Sequence, residues 1–352
     1  MTVRKKTKQV KVGVVTIGGG APIRIQSMCT TPTRDVAQTV DQIQQMTELG
    51  CEIARVACLT EEDARVIGKI RARIKIPLVA DIQYHFENAL IALEEGIDKL
   101  RLNPGNIGAR NRVKVIVKKA KERGIPIRIG VNGGSLEKEI LEKYKHPTPK
   151  ALVESAKGHV EILEEYGFSD IVISMKSSDV LTTIEAYRLA SKTFDYPLHV
   201  GVTEAGTLLK GAVANAIGVG TLLQEGIGDT IRVSLSAEPT EEIKAARFIL
   251  ESLNLRKFGA QVIACPRCGR AEIDVFKLAN EVESRALKLK EPVRISVMGC
   301  AVNGPGEAME SDFGITGGKG KGMIYVHGKQ ARVVPESELV DELFKEIEKR
   351  KE

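Results

Sequence analysis

One theme repeats eight times between residues 21 and 255: a short β-branched apolar run, a polar turn, then an amphipathic stretch of helical period. The apolar runs are Ile23–Met28, Ile53–Ala57, Leu78–Asp81, Lys99–Asn103, Ile127–Val131, Ile171–Met175, Leu198–Val202 and Ile231–Leu235. Eight strand-helix units over roughly 250 residues predict an α/β fold closed as a (β/α)8 TIM-type barrel. Ahead of it, Val10–Ile17 followed by Gly18-Gly19-Gly20 reads as a hairpin placed to plug the barrel's bottom.

The pattern breaks around Asn254–Gly259, where a second module begins. It is expected to hold a strand at Gln261–Ala264, a CxxC turn, a helix near Asp274–Leu287 and a strand at Val293–Met298. A Gly-rich stretch from Gly299 to Gly322, a strand at Met323–Val326 and a charged helix at Glu336–Lys349 complete it. The division is therefore a substrate-binding barrel over residues 1–255 and a C-terminal α+β domain over 260–352. A chain of 352 residues exceeds what one core usually serves, which agrees with two domains.

No apolar run approaches the ~20 residues that span a bilayer, so no membrane segment is expected. Met1–Lys11 is rich in Lys without the apolar stretch of a secretory signal, which places the protein in the cytoplasm. The net charge of +6 is scattered rather than gathered into a stripe, and aromatic residues make up only 4% with no Trp. Both disfavour a nucleic-acid partner and leave small anions as the expected ligands.

The strand ends carry the chemistry. Arg55, Asp81, Arg101 with Asn103, Arg128 with Asn132, Lys176, Glu204, and Arg232 with Ser234 and Ser236 all fall there. In a barrel these positions converge on the C-terminal mouth, where active sites of this fold lie. Polar residues also end strands simply because loops are polar, but so many basic and amide side chains favour a phosphate-binding mouth. The segment Asn103-Pro104-Gly105-Asn106-Ile107-Gly108 could turn backbone N–H groups toward a ligand oxygen, or could be a tight turn only.

Six cysteines without an export signal should be thiols or metal ligands. Cys29, Cys51 and Cys58 lie in apolar contexts and read as buried small hydrophobes. Cys265-Pro266-Arg267-Cys268-Gly269 places two thiols on one turn, and Cys300 follows a strand in Met298-Gly299-Cys300-Ala301-Val302-Asn303-Gly304-Pro305-Gly306-Glu307. Three soft ligands without a fourth Cys suit an iron–sulfur cluster, which tolerates a non-Cys ligand. Structural zinc, which normally takes four Cys or His ligands, and inert thiols remain the alternatives. The spacing differs from the CxxxCxxC of radical-generating clusters.

The strings LRLNPGNIG (Leu100–Gly108), VNGGSLE (Val131–Glu137), ACPRCGR (Ala264–Arg270) and MGCAVNGPGEA (Met298–Ala308) occur in this order on this architecture. Together they resemble the 4-hydroxy-3-methylbut-2-enyl diphosphate synthase family in its short bacterial two-domain form, over essentially the whole chain. The resemblance implies one 4Fe-4S cluster held by Cys265, Cys268 and Cys300, with Glu307 as fourth ligand and part of the catalytic apparatus. It implies 2-C-methyl-D-erythritol 2,4-cyclodiphosphate as substrate, reduced and opened late in the methylerythritol phosphate route to isoprenoids. Arg55, Asp81, Arg101, Asn103, Arg128, Asn132, Lys176, Arg232, Ser234 and Ser236 would bind it, with Glu204 near the reacting carbons as an acid or hydrogen-bond partner. Electrons would come from ferredoxin or flavodoxin, since the sequence shows no flavin or nucleotide fingerprint.

The chain departs from the family pattern once. Asp81-Ile82-Gln83 stands where Asp-Ile-His is common, and the nearest imidazole, His85, is displaced by two positions. A homodimer with crossed sites is also expected, because the eighth barrel helix should end at the bottom face and the linker of about six residues reaches at most ~20 Å. Two other readings exist. A non-redox anion-binding barrel with a structural zinc ribbon leaves the Asn-Gly-Pro-Gly-Glu loop without a role, and a pterin-type condensing barrel leaves the cysteines without one.

Overall fold

The computed structural model describes residues 3–103, 107, 110–318 and 321–349. The chain divides into two compact units, Met1–Arg256 and Lys257–Glu352, and each is taken by itself.

In the first unit the hairpin strands β1 (Val10–Val12) and β2 (Val15–Ile17) pair antiparallel. The barrel strands are β3 (Arg24–Met28), β4 (Ile53–Cys58), β5 (Leu78–Ile82), β6 (Lys99–Leu102), β7 (Ile127–Asn132), β8 (Ile171–Lys176), β9 (His199–Val200) and β10 (Thr230–Ile231). They form one eight-stranded sheet, and every pair within it is parallel. A parallel bridge between Ile173 and Leu198, with Ile173 N donating to Pro197 O at 2.9 Å, closes the remaining gap between β8 and β9. The last two strands are shorter than their apolar runs suggest. Beyond β10 the chain leaves the ladder and its Ser236 N donates to Gly206 O at 2.9 Å instead.

The hairpin does close the bottom. Val10, Val12 and Ile17 pack in one buried cluster with Ile53, Val79 and Val172, an apolar tier at the N-terminal ends of β4, β5 and β8. Because residues two apart on a strand share a face, this tier fixes the phase of everything above it. At the same end, the helix Pro239–Ser252 finishes and Arg256 Nη1 donates to Ile23 O at 2.9 Å. The chain thus leaves the barrel from its bottom face.

The second unit is a five-stranded sheet in the order β11 (Gln261–Ala264), β12 (Arg294–Met298), β13 (Phe313–Gly318), β14 (Lys321–Val326), β15 (Lys329–Pro335). The first three strands are parallel and the last three antiparallel. Helices Val275–Ala286 and Leu339–Lys349 bury Val275, Leu278, Val282, Leu343 and Ile347 in its core. The stretch Gly299–Gly322, expected as a Gly-rich connection, contains the short helix Gly304–Met309 and strand β13. Glycine is required within it: a Cβ on Gly317 would lie 2.4 Å from Gly299 O.

Candidate functional site

Strand alternation turns Lys99, Arg101 and Asn103 of β6 and its end into the barrel, together with Arg128 and Asn132 of β7 and Lys176 of β8. Barrel interiors are usually filled by branched aliphatic side chains. Here only the lowest tier is, and the tiers above it are charged.

Asp81 is the hub. Its carboxylate accepts from Arg101 Nη1 at 3.1 Å, Arg55 Nη2 at 3.3 Å and Gln83 Nε2 at 3.0 Å. Burial opposes its ionisation, but the Arg55, Arg101 and Arg128 guanidinium groups outweigh that and hold the carboxyl below its ordinary range. Gln83, at the position of the family histidine, therefore supports Asp81, while His85 only precedes the helix Phe86–Glu94. Arg101 Nη2 also donates to Gly130 O at 3.0 Å, a passage open only because Gly130 has no side chain: a Cβ there would lie 2.3 Å from Arg101 Nε.

Across the mouth, Arg232 pairs with buried Glu242 through two contacts of 3.3 Å. Glu242 further accepts from Ser27 Oγ at 2.6 Å and Leu235 N at 3.1 Å. Sequence reasoning missed Glu242, Gln26, Lys99 and His199. The Lys99–Arg101–Asn103 spacing is the signal that could have found the lysine.

The balance of charge is lopsided. Arg55, Lys99, Arg101, Arg128, Lys176 and Arg232 meet two carboxylates, Asp81 and Glu242. Burial, and then the neighbouring cations, push Arg55 down to about 10 and lower Arg128 and Lys176 well below their ordinary values. Arg128 is 1% exposed, yet its Nε and Nη1 have no hydrogen-bond partner among the described residues. Ser234 Oγ is likewise buried without one. Such a guanidinium has N–H groups left to offer an acceptor.

A cavity of about 470 Å³ reaches this cluster at Lys176 and is lined also by Asn132, Gly133, Pro147, Thr203 and Glu204 among others. Glu204 is exposed and holds a left-handed backbone, φ 52°, a conformation that a non-glycine residue adopts at a cost. Asn103 is buried at the end of β6. The proposed phosphate-cradling turn after it, Pro104–Asn106 and Gly108, lies outside the described residues.

In the second unit Cys265 and Cys300 follow neighbouring parallel strands, with Cys265 N donating to Val297 O at 2.9 Å. Glu272 N donates to Gly299 O at 2.8 Å, tying the CxxC turn to the Cys300 loop. Backbone N–H groups of Asn303 and Val302, and then Arg270, face the Cys300 sulfur and lower its pKa, a setting that favours a thiolate. Cys268 and Glu307 are exposed, Glu307 in the first turn of the helix Gly304–Met309. Among the described residues, no three His, Cys, Asp or Glu side chains gather about a single-ion position. Cys29, Cys51 and Cys58 are buried, and burial pushes each thiol up to about 12, as expected of inert core residues.

Residues 7–247 match the GcpE TIM-barrel domain, and residues 261–349 match the GcpE protein C-terminal domain. The chain belongs to the GcpE family.

Curated relatives of this GcpE chain include proteins named 4-hydroxy-3-methylbut-2-en-1-yl diphosphate synthase (flavodoxin). The protein of Geobacillus thermodenitrificans is 57% identical over 98% of this chain and 92% of its own length. That of Bacillus subtilis is 55% identical over 99% of this chain and 92% of its own. Among solved structures, Yersinia pestis dihydropteroate synthase superposes with a TM-score of 0.50 at 12% identity, covering 70% of this chain and 98% of that one. The N-acetylneuraminic acid synthetase of Leptospira borgpetersenii gives 0.51 at 13% identity, over 80% and 97%. Those two likenesses concern the fold alone. The GcpE chain carries the cysteine-bearing unit in addition.

Proposed function

We infer that the protein is a 4-hydroxy-3-methylbut-2-enyl diphosphate synthase. It converts 2-C-methyl-D-erythritol 2,4-cyclodiphosphate to the linear diphosphate with two electrons and one proton, releasing water, in the methylerythritol phosphate route. The observation that carries this reading is the mouth of five cations, Arg55, Arg101, Arg128, Lys176 and Arg232, with Arg128 buried and short of acceptors, in a chain 57% identical to a relative so named.

Arg55, Arg128 and Lys176 take the diphosphate, and Arg101 is held ready by Asp81. Asn103, Asn132, Arg232, Ser234 and Ser236 position its remaining oxygens. Glu204 stands at the open edge of the cavity and hydrogen-bonds or protonates the departing hydroxyl, its strained backbone fixing where the carboxyl points. Charge-assisted contacts between these buried cations and the phosphate oxygens supply the affinity.

The donor set fits a 4Fe-4S cluster. Two thiols on one turn and a third at the adjacent strand end, with amides facing Cys300, suit a cubane, which spreads its ligands over several irons and needs no single-ion position. Cys265, Cys268 and Cys300 would hold it with Glu307 as the labile fourth ligand, and when bound it supplies electrons one at a time to the substrate. The relatives' name supports flavodoxin as donor. Ferredoxin is the other carrier of that class.

The working unit is a homodimer in which the cysteine-bearing unit of one chain serves the barrel of its partner. The exit of the chain at the barrel's bottom, pinned by Arg256, supports this. Among the described residues no helix is long and apolar enough to cross a membrane, and the enzyme works in the cytoplasm. The test is iron and sulfide analysis of anaerobically purified protein, with a turnover assay using reduced flavodoxin. Four irons and four sulfides per chain and product formation are expected. A colourless zinc protein without turnover refutes the reading.

A further inference from the structure

The bore beneath the mouth holds a layer to which the proposed reaction gives no role. Lys99 is 0% exposed, and the partner it finds among the described residues is Gln26 Oε1 at 3.4 Å. Gln26 lies on β3, three strands around the sheet from β6, so this contact crosses the bore. His199 is also fully buried, with Nδ1 2.7 Å from Thr230 Oγ1. Gln26 Nε2, His199 Nε2, and Arg128 Nε and Nη1 have no hydrogen-bond partner among the described residues. Three of these four atoms are donors, and His199 Nε2 donates or accepts according to the tautomer.

The cations that act on Lys99 are Arg128 of β7 and Arg55 of β4, and His199 of β9 lies within reach of its charge. Strand alternation turns further groups into the same bore: β8 contributes Ser174 and Lys176. β5 contributes Val79 and Asp81, and the Asp81 carboxylate is taken up by Arg55, Arg101 and Gln83. Among the described residues no carboxylate pairs with Lys99. An ammonium buried without a counter-ion bears a heavy desolvation penalty, whereas a neutral amine offers its lone pair to one of the orphan donors. Burial, then Arg128 and Arg55, lower Lys99 well below its ordinary value, and burial, then Arg128 and Lys176, do so for His199.

We propose that Lys99 is a positioning residue that is neutral in the free barrel and takes up a proton when a cyclic diphosphate, with one negative charge on each phosphoryl group, settles on Arg128 and Lys176 above it. Anion binding and protonation of the bore are then one coupled event. Lys99 does not touch the anion; its charge, developed beneath the site, adds to the attraction that holds the anion on Arg128 and Lys176. Since binding takes up a proton, affinity falls as pH rises. This rests on the substrate reading above and adds a linkage that the reading does not require.

The test is calorimetric titration of the holoenzyme, without reductant, with 2-C-methyl-D-erythritol 2,4-cyclodiphosphate at pH 8. Two buffers of different ionisation enthalpy are compared. The ligand's acid groups are fully ionised at that pH, so any proton exchanged comes to the protein. Wild type should take up protons on binding. Lys99→Met, which keeps the chain length without the charge, should take up about one fewer and bind about tenfold more weakly, with a flatter pH dependence. Lys99→Gln serves as the second variant should the first fail to melt cooperatively. Tight binding by wild type without proton uptake overturns the proposal. So does uptake that persists in both Lys99 variants, including the case in which it disappears only in His199→Gln. If wild type does not bind the cyclodiphosphate at all, the substrate reading itself fails, which is a distinct result.

Discussion

The two units present their chemistry in opposite ways. In the barrel the functional side chains stand on strands, are buried, and are braced before any ligand arrives: Asp81 ties Arg55 to Arg101, and Glu242 holds Arg232. In the second unit they stand on loops and on the first turn of a short helix, with Cys268 and Glu307 open to solvent. A braced site spends little on ordering when it binds, so most of its contact energy appears as affinity. Thiols on loops acquire their final geometry from the group they ligate, so assembly and local order arrive together. Binding should therefore be a property of the barrel alone, and electron delivery a property of the cysteine loops alone.

The sharpest break of that separation uses the cysteines. Cys265→Ser, Cys268→Ser and Cys300→Ser should each abolish turnover and the broad visible absorption, because thiolates hold the irons, while leaving cyclodiphosphate affinity near wild type. Affinity lost in parallel with colour would show that the two regions are not separable. The converse is Arg128→Ala, Arg55→Ala and Lys176→Ala. Each should weaken binding by about 1.5–3 kcal/mol with iron content unchanged. Unaltered calorimetric affinity in all three would move the anion site elsewhere. A smaller effect is expected of Glu204→Gln, which keeps shape and removes a titratable group: the rate should fall more than the affinity. Equal rate and affinity would take Glu204 out of the chemistry.

How far these regions are legible in the sequence differs for a physical reason. Cations at strand ends are legible because the barrel gathers every strand end at one face, so Arg55, Arg101, Arg128 and Lys176 need no knowledge of long-range packing to be placed together. Lys99 begins an apolar run and His199 stands second in one, so both look like strand edges. Only the phase set by the hairpin against Ile53, Val79 and Val172 turns them into the bore. Glu242 is one of two adjacent glutamates, and nothing local says that it meets Arg232 while Glu241 pairs with Lys244. In the second unit Cys265, Cys268, Cys300 and Glu307 stand out by spacing and motif. Strand β13 does not, because glycines that permit close backbone approach lower its β-propensity.

The smallest expected effect tests whether the wall of the barrel cavity is as braced as its floor. Gly133 and Pro147, at the two ends of one segment, both line that cavity, and Glu137 lies between them. Glu137 meets His159 Nε2 at 2.5 Å and accepts from Ser155 Oγ at 3.1 Å, both on the helix Pro149–Glu165. Burial raises the Glu137 pKa, but the adjacent His159 imidazole, the backbone and Ser155 outweigh it and bring the carboxyl down to about 2. A carboxylate with a depressed folded-state pKa contributes stability that is fully present above its ordinary value of about 4.3 and is lost as pH falls toward the depressed one. Glu137→Gln should therefore lower the thermal transition at pH 7 by about 2–4 °C, as expected for one hydrogen-bonded pair of about 1 kcal/mol in a unit of this size. That gap should close as pH is lowered from about 4.5 to about 2, where wild type loses the same charge. Melting curves of both proteins across that window check it. A gap that stays constant with pH would mean that the segment is held by packing and not by the ionised carboxylate, and that the cavity wall, unlike its floor, is not braced by charge.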